Sequence, residues 1–191
     1  MQPGATAADV LETADRVAAL LDRGGVSYAI GGALALAQHG VLRATRDVDI
    51  NVFVPPEAVF ALVTALVDEG LPPEPDALRR AEVDGWFSAW AGPVRVDVFV
   101  PSIDFSWTAE ATRIQRPLRE APRWFLSAEA LCVFKLLFFR TKDLADLEQL
   151  VRASESLDAS QVHGWISGLM GEDDPRTEAW DRICRDFAPA R

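Results

Sequence analysis

Between Tyr28 and Phe53 the chain reads YAIGGALALAQHGVLRATRDVDINVF, and two places in that stretch carry reactive residue types. Gly31-Gly32 ends an apolar run, and after fourteen intervening residues Asp47 and Asp49 alternate along a segment of strand character. Strand side chains alternate faces with a period of two, so both carboxylates project to one side while Val48 and Ile50 point into a core. Two acids on one face of an apolar strand repel each other and lose hydration, a cost that a cation or a basic partner offsets. Asp97 is a third acid with a strand address, because Val94, Val96, Val98 and Val100 alternate with Arg95, Asp97 and Phe99. Three acids on two neighbouring strands suit Mg²⁺, which accepts a few carboxylates and leaves positions for substrate phosphates. One ion or two in such a cluster polarise an attacking hydroxyl and steady a leaving oxygen in phosphoryl or nucleotidyl transfer. The double glycine fits the same chemistry, since it permits close backbone approach and a turn feeding a helix N-terminus offers N–H groups to a phosphate chain.

The elements that must position these residues are legible from periodicity. Apolar positions at helical spacing predict a first helix over Ala7–Arg23, stopped by Gly24-Gly25. Val26–Ile30 reads as a short buried strand, Ala33–His39 as a helix closed by Gly40, and Arg46–Val54 as the strand that carries the acid pair. A helix over Glu57–Glu69 precedes a proline-rich, loop-like LPPEPDALRR. Gly85–Ala91 and Val94–Val100 read as two strands joined at Gly92-Pro93, and Thr112–Leu118 as another strand. Helices follow over Ser127–Arg140 and Asp143–Ala153, with a helical tail from Ser160 that uses Trp165 and Trp180 in packing. There is no internal repeat or low-complexity segment.

A chain of 191 residues with 49% hydrophobic content fits one domain, or one domain with a helical appendage, around a real core. No window approaches a membrane span and the first residues lack a basic start followed by an apolar run, so the expected location is cytoplasmic. A formal charge of -10 argues against nucleic-acid binding through a broad basic face, though it leaves room for a local basic groove. Cys132 and Cys184 have no metal-ligand spacing, and Cys132 reads as a buried free thiol. Arginine supplies 17 of the cations, whereas the two lysines, Lys135 and Lys142, lie within eight positions of each other, which suggests a site-specific need.

The Gly-Gly turn, helix and Asp-x-Asp together resemble the nucleotidyltransferase fold of the DNA polymerase beta superfamily. Two segments, GGALALAQHGVLRATRDVDI and SAEALCVFKLLFFRTKDLADLEQL, are similar to the AbiEii-like group of toxin nucleotidyltransferases from bacterial toxin–antitoxin systems. The resemblance covers most of Tyr28 to Leu150, is weak in the proline-rich middle, and carries no specific signal after about Arg152. It implies an α/β (α+β) chain, with a small mixed sheet flanked by helices as the catalytic core over residues 1–120 and a helical region over 121–191 completing the active site. It implies Asp47, Asp49 and Asp97 as Mg²⁺ ligands, and these with Lys135 as the catalytic set. Gly31, Gly32, Thr45, Arg46, Lys135, Arg140, Lys142 and Asp143 become the nucleotide-binding set, with Asp146 completing the downstream motif. The implied reaction moves a nucleoside monophosphate from a nucleoside triphosphate to an acceptor hydroxyl. Asp97 draws the acceptor proton and Lys135 neutralises triphosphate charge. The implied partners are RNA, with the tRNA 3′ end as acceptor, and a separately encoded antitoxin protein.

Other readings stand beside these. The Asp pair also suits a turn or capping role with Arg43 and Arg46 as surface partners, and Asp97 also suits an exposed edge. Lys135 also suits a residue that packs its stem on apolar neighbours and snorkels outward, a reading its solitude and the resemblance outweigh, and Arg140, Lys142, Asp143 and Asp146 are equally a solvated face of helix-supporting ion pairs. His39 suits a helix C-terminus, and the tryptophans suit packing better than base stacking. An acidic chain also fits modification of a cationic antibiotic, an aminoglycoside or a lincosamide, and a fold that only binds a nucleotide or a partner is the non-enzymatic alternative.

Overall fold

The computed structural model describes residues 5–154 and 156–187. The chain divides into two compact units, Met1–Leu34 with Ala44–Leu126 and Ala35–Arg43 with Ser127–Arg191. The first unit opens with α1 (Ala7–Arg23), where Thr6 and Asp9 form a capping box and satisfy two N-terminal donors. Of the predicted stripe Val10, Leu11, Ala14, Val17, Ala18 and Leu21, all but Leu11 are buried, Leu11 lying exposed at its edge, and the helix lies against strands β1 (Tyr28–Ile30), β2 (Asp47–Val52), β4 (Val94–Phe99) and β6 (Ala121–Phe125). With β3 (Trp86–Ala91) and β5 (Ile114–Leu118) these make a six-stranded sheet in the order β3-β4-β2-β1-β6-β5. It is mixed, as expected, with β2–β4 and β1–β6 parallel and the remaining pairs antiparallel. Its core is the set that alternation picks out: Ile30, Val48, Ile50 and Val96 are each 0% exposed.

Four segments depart from the sequence expectation. The proline-rich stretch is not all loop, because Ala77–Asp84 is a helix, α4, ended by Gly85 in the left-handed region at φ 74°. Its prolines all precede the first turn, where they cost no helical hydrogen bond, and Ala77 and Ala81, four apart, are buried on its inner side. The expected helix at 57–69 begins as a 3-10 turn, Pro56–Ala58, before α3 (Val59–Asp68). Periodicity assigns nothing to 101–111 or 119–126, yet α5 (Phe105–Ala111) and β6 form there. β6 hides because Pro122 and Arg123 interrupt its pattern; Pro117 of β5 stands directly opposite Pro122, so the missing N–H groups fall on one rung. β6 lies after residue 120 and pairs with β1 at Ile30↔Phe125, which makes it a strand of this sheet.

The second unit takes the C-terminal part of α2 (Gly32–Gln38) with its following turn and four helices, α6 (Ala128–Phe138), α7 (Thr141–Ala153), α8 (Ala159–Met170) and α9 (Pro175–Phe187). Ser127 caps α6, accepting from the Ala130 N–H at 3.1 Å. Trp180, 1% exposed, anchors α9 and donates its indole N–H to the Ala159 carbonyl at 3.1 Å, a packing role as expected. Cys132 is a buried free thiol, and Cys184 is also unpaired. Among the described residues no helix is long and apolar enough to cross a membrane.

Ile50 is fully buried in a central strand while Leu42 is 85% exposed. Urea unfolding is expected to show Ile50→Ala destabilised by roughly 2–5 kcal/mol and Leu42→Ala within about 0.5 kcal/mol of the parent.

Candidate active site

β2 and β4 pair in parallel with Asp47 opposite Arg95 and Asp49 opposite Asp97. Partners in a parallel ladder share a face, so the pairing gathers Asp47, Asp49, Arg95 and Asp97 on the side away from Val48, Ile50, Val96 and Val98. Across the other ladder Ser88 of β3 stands opposite Asp97, and its hydroxyl donates to Asp97 Oδ1 at 2.7 Å. Arg95 Nη2 lies 3.0 Å from Asp47 Oδ2 and 2.9 Å from Asp97 Oδ2, a single nitrogen shared by carboxylates of two strands. Burial pushes the Asp97 carboxyl above its usual range, against the Ser88 hydrogen bond and the Arg95 charge; Asp47 and Glu74 push it the same way as burial. Glu74 reaches this corner through Ser88, whose N–H donates to Glu74 Oε1 at 3.0 Å, and Arg80 pairs with Glu74 at 3.2 Å.

The glycine turn closes on the same acids. The Gly31 N–H donates to the Asp49 carbonyl at 2.8 Å. Gly32 sits at φ +53°, and a Cβ there would stand 1.8 Å from Asp49 Oδ2, so only glycine leaves the carboxylate its place. Thr45 accompanies Asp47: its hydroxyl donates to Asp47 Oδ1, and the Asp47 N–H donates back to the hydroxyl oxygen at 3.4 Å. Thr45 therefore orients an acid of the pair, and Arg46 is exposed beside it.

The downstream residues form a separate cluster within the second unit. Lys135 is 5% exposed, with Nζ 2.6 Å from Asp146 Oδ2 and 3.4 Å from Asp143 Oδ1, so it neither snorkels nor presents its charge outward. Asp143 and Asp146 are 1% and 2% exposed, so these two acids form a buried ionic core with Lys135 and not the alternative of a solvated face. Arg140 clamps Asp143 through Nε at 2.6 Å, and Arg43 reaches Asp146 Oδ1 at 3.5 Å. Burial would raise the Asp143 carboxyl, but hydrogen bonds from Arg140 and the charges of Lys135 and Arg140 outweigh it and hold it below the usual range. Lys142 is exposed. His163 sits between Asp181, 2.8 Å from Nδ1, and Glu172, 3.2 Å from Nε2.

Strand alternation thus locates the three acids, and the structure adds Arg95 and Ser88. Arg95 lies two residues before Asp97 and is legible as sharing its face, whereas its contact with Asp47 depends on a strand register that no local pattern encodes. Ser88 signals itself only as a small polar residue inside WFSAWA. Among the described residues no three His, Cys, Asp or Glu side chains converge as a ready metal cage. The donor set nevertheless fits a hard cation: carboxylate oxygens of Asp47 and Asp97 already converge on one positive centre, as a Mg²⁺ ion with few protein ligands requires.

Two outcomes follow from these contacts. Lys135→Met removes the buried cation between Asp143 and Asp146, leaving them to Arg140 and Arg43, and is expected to cost up to about 3–5 kcal/mol in chemical denaturation, the range for breaking a buried pair. Because Asp143 is depressed in the fold, its contribution is complete above the unfolded value near 3.8 and disappears as pH falls through the lower folded value. Unfolding followed from pH 5 downward should therefore show Asp143→Asn less acid-sensitive than the parent.

No protein-family model matches the chain, and no curated protein matches it in sequence. Solved structures do match in fold. The solution structure of the antibiotic-resistance factor ANT(2'')-Ia aligns with 92% of this chain and 97% of its own at a TM-score of 0.61 and 17% identity. A crystal structure of ANT(2'')-Ia in complex with adenylyl-2''-tobramycin aligns with 86% and 98% at 0.62 and 18%. The lincosamide antibiotic adenylyltransferase LnuA, lincomycin-bound, aligns with 78% and 98% at 0.50 and 15%. At these identities the likeness is one of architecture, and the chain has the fold of these nucleotidyltransferases.

Proposed function

We propose that this chain is a nucleotidyltransferase, transferring a nucleoside monophosphate from a nucleoside triphosphate to an acceptor hydroxyl. The observation that carries the reading is the meeting of Asp47, Asp49 and Asp97 on one sheet face, with the Gly31-Gly32 turn closed against Asp49. In this reading Asp47, Asp49 and Asp97 hold Mg²⁺, which when bound supplies charge neutralisation and Lewis-acid polarisation at the phosphate. Gly31 and Gly32 let the triphosphate approach the backbone at the start of α2. Asp97 takes the acceptor proton as the hydroxyl oxygen bonds to the α-phosphorus and the α–β bridging P–O bond breaks, releasing pyrophosphate. Thr45 and Ser88 act by fixing the rotamers of Asp47 and Asp97. Arg46, Arg140 and Lys142 are the exposed cations assigned to the nucleotide. Lys135 and Asp143 are assigned a positioning role, since their charges are spent on each other and on Asp146 and Arg140.

For the acceptor, the two segments similar to the toxin nucleotidyltransferases favour RNA, the tRNA 3′ end in particular, with a protein antitoxin as antagonist. The folds of ANT(2'')-Ia and LnuA, together with a formal charge of -10, favour a cationic antibiotic as the second reading.

Purified protein with Mg²⁺, each α-³²P nucleoside triphosphate in turn, and either total RNA, aminoglycosides or lincosamides separates these readings. Label in tRNA supports the first and label in a drug the second. Asp49→Asn is expected to lower transfer by at least about 100-fold, the scale for removing one charge-stabilising group. Undiminished turnover in that variant refutes the acid assignment.

A further inference from the structure

We propose that Arg95 is a tethered cation that occupies the metal-facing oxygens of Asp47 and Asp97 and must swing away before a divalent cation binds there. The proposal rests on the reading of these carboxylates as metal ligands. Its basis is the division of labour among their oxygens. Asp47 Oδ1 accepts from the Thr45 hydroxyl and Asp97 Oδ1 accepts from the Ser88 hydroxyl at 2.7 Å. Both Oδ2 atoms point instead at a single nitrogen, Arg95 Nη2, at 3.0 and 2.9 Å. The protein's hydroxyls thus orient each carboxylate from one side and leave the other side to a cation, and the resident cation is a side chain.

The register brings these groups within reach of each other. Arg95 is the ladder partner of Asp47 and precedes Asp97 by two positions on the same face, so its guanidinium is born between the two acids. Without it, two carboxylates on adjacent strands would repel each other in the nucleotide-free protein. Arg95 is nevertheless suited to leave: its side chain is 47% exposed on a long flexible stem, whereas Lys135 in the other ionic cluster is 7% exposed and enclosed. The Arg95–Asp47 pair is partly exposed on both sides and weak, and at the enclosed Asp97 a doubly charged ion offers more than the single charge it replaces. Arg95 would then act as a positioning residue that keeps the acids in register until metal arrives, and that sets how readily it arrives.

The test uses the full chain without nucleotide and Mn²⁺ as the probe, with binding followed by electron paramagnetic resonance. Arg95→Gln is expected to tighten Mn²⁺ binding by about 3- to 30-fold, the span two partly exposed ion pairs cover. Arg95→Lys should fall between Arg95→Gln and the parent, and replaces it if circular dichroism shows the glutamine variant unfolded. A second readout distinguishes displacement from a simple change in charge. In the parent, saturating Mg²⁺ should shift the Arg95 Nε–Hε nuclear magnetic resonance signal and speed its exchange with water, the signal being assigned by its loss in Arg95→Gln. Parent-like or weaker Mn²⁺ binding by the variants, or an Arg95 signal that Mg²⁺ leaves unmoved, overturns the proposal while leaving the metal site standing. If parent and variants alike bind Mn²⁺ no better than an Asp47→Asn, Asp49→Asn double variant, the metal reading itself fails and the proposal with it.

Discussion

The parallel pairing of β2 with β4 sets a carboxylate beside a carboxylate, Asp49 against Asp97, over a layer of valine and isoleucine that excludes water from below. Like charges in adjacent ladder positions destabilise a sheet, and burial of Asp97 adds a desolvation cost of its own. Much of what surrounds the strands reads as an answer to that cost. Ser88 and Thr45 supply hydroxyl donors, Arg95 supplies the charge, and Gly31-Gly32 supplies a backbone that can press against Asp49 without a side chain in the way. The hydrophobic layer cannot be separated from this arrangement, because the same alternation that buries Val48 and Ile50 turns the acids outward.

The second unit solves an electrostatic problem in the opposite manner. Around Lys135 the lysine and its two carboxylates are enclosed, and Arg140 and Arg43 reach those carboxylates from outside, in a network that joins α6, α7 and the turn after α2. Such a network contributes little net energy relative to a well-packed apolar one, but it penalises any arrangement that leaves a member unpaired. It therefore fixes the relative placement of the helices that carry it. The Arg95 bridge on the sheet leaves its cation half exposed, whereas Lys135 and both of its carboxylates are buried.

Much of this was legible in the chain itself, for reasons of period and distance. Alternation located Asp47, Asp49 and Asp97 because a strand's two faces are written two residues apart. The stripe of α1 was legible for the equivalent helical reason. What local pattern lacks is register: nothing near Asp47 says that Arg95 will stand opposite it, 48 positions on. Lys135 looked available for a ligand because sequence shows its isolation among apolar residues but not the two carboxylates folded onto it. α4 and β6 were obscured by proline, which reads as a breaker although here it precedes the helix in one case and meets another proline in the other.

Positions 32 and 49 share space for only one side chain, since a single methyl group on Gly32 would overlap the Asp49 carboxylate. Position 32 therefore cannot gain a side chain while Asp49 keeps its present place. A side chain at 32 would require the acid at 49 to shrink or move, and the backbone at φ +53° would strain that side chain even if the acid were gone. The dependence therefore runs one way: the carboxylate at 49 keeps its place only beside a glycine, whereas the glycine at 32 is also required by its own backbone.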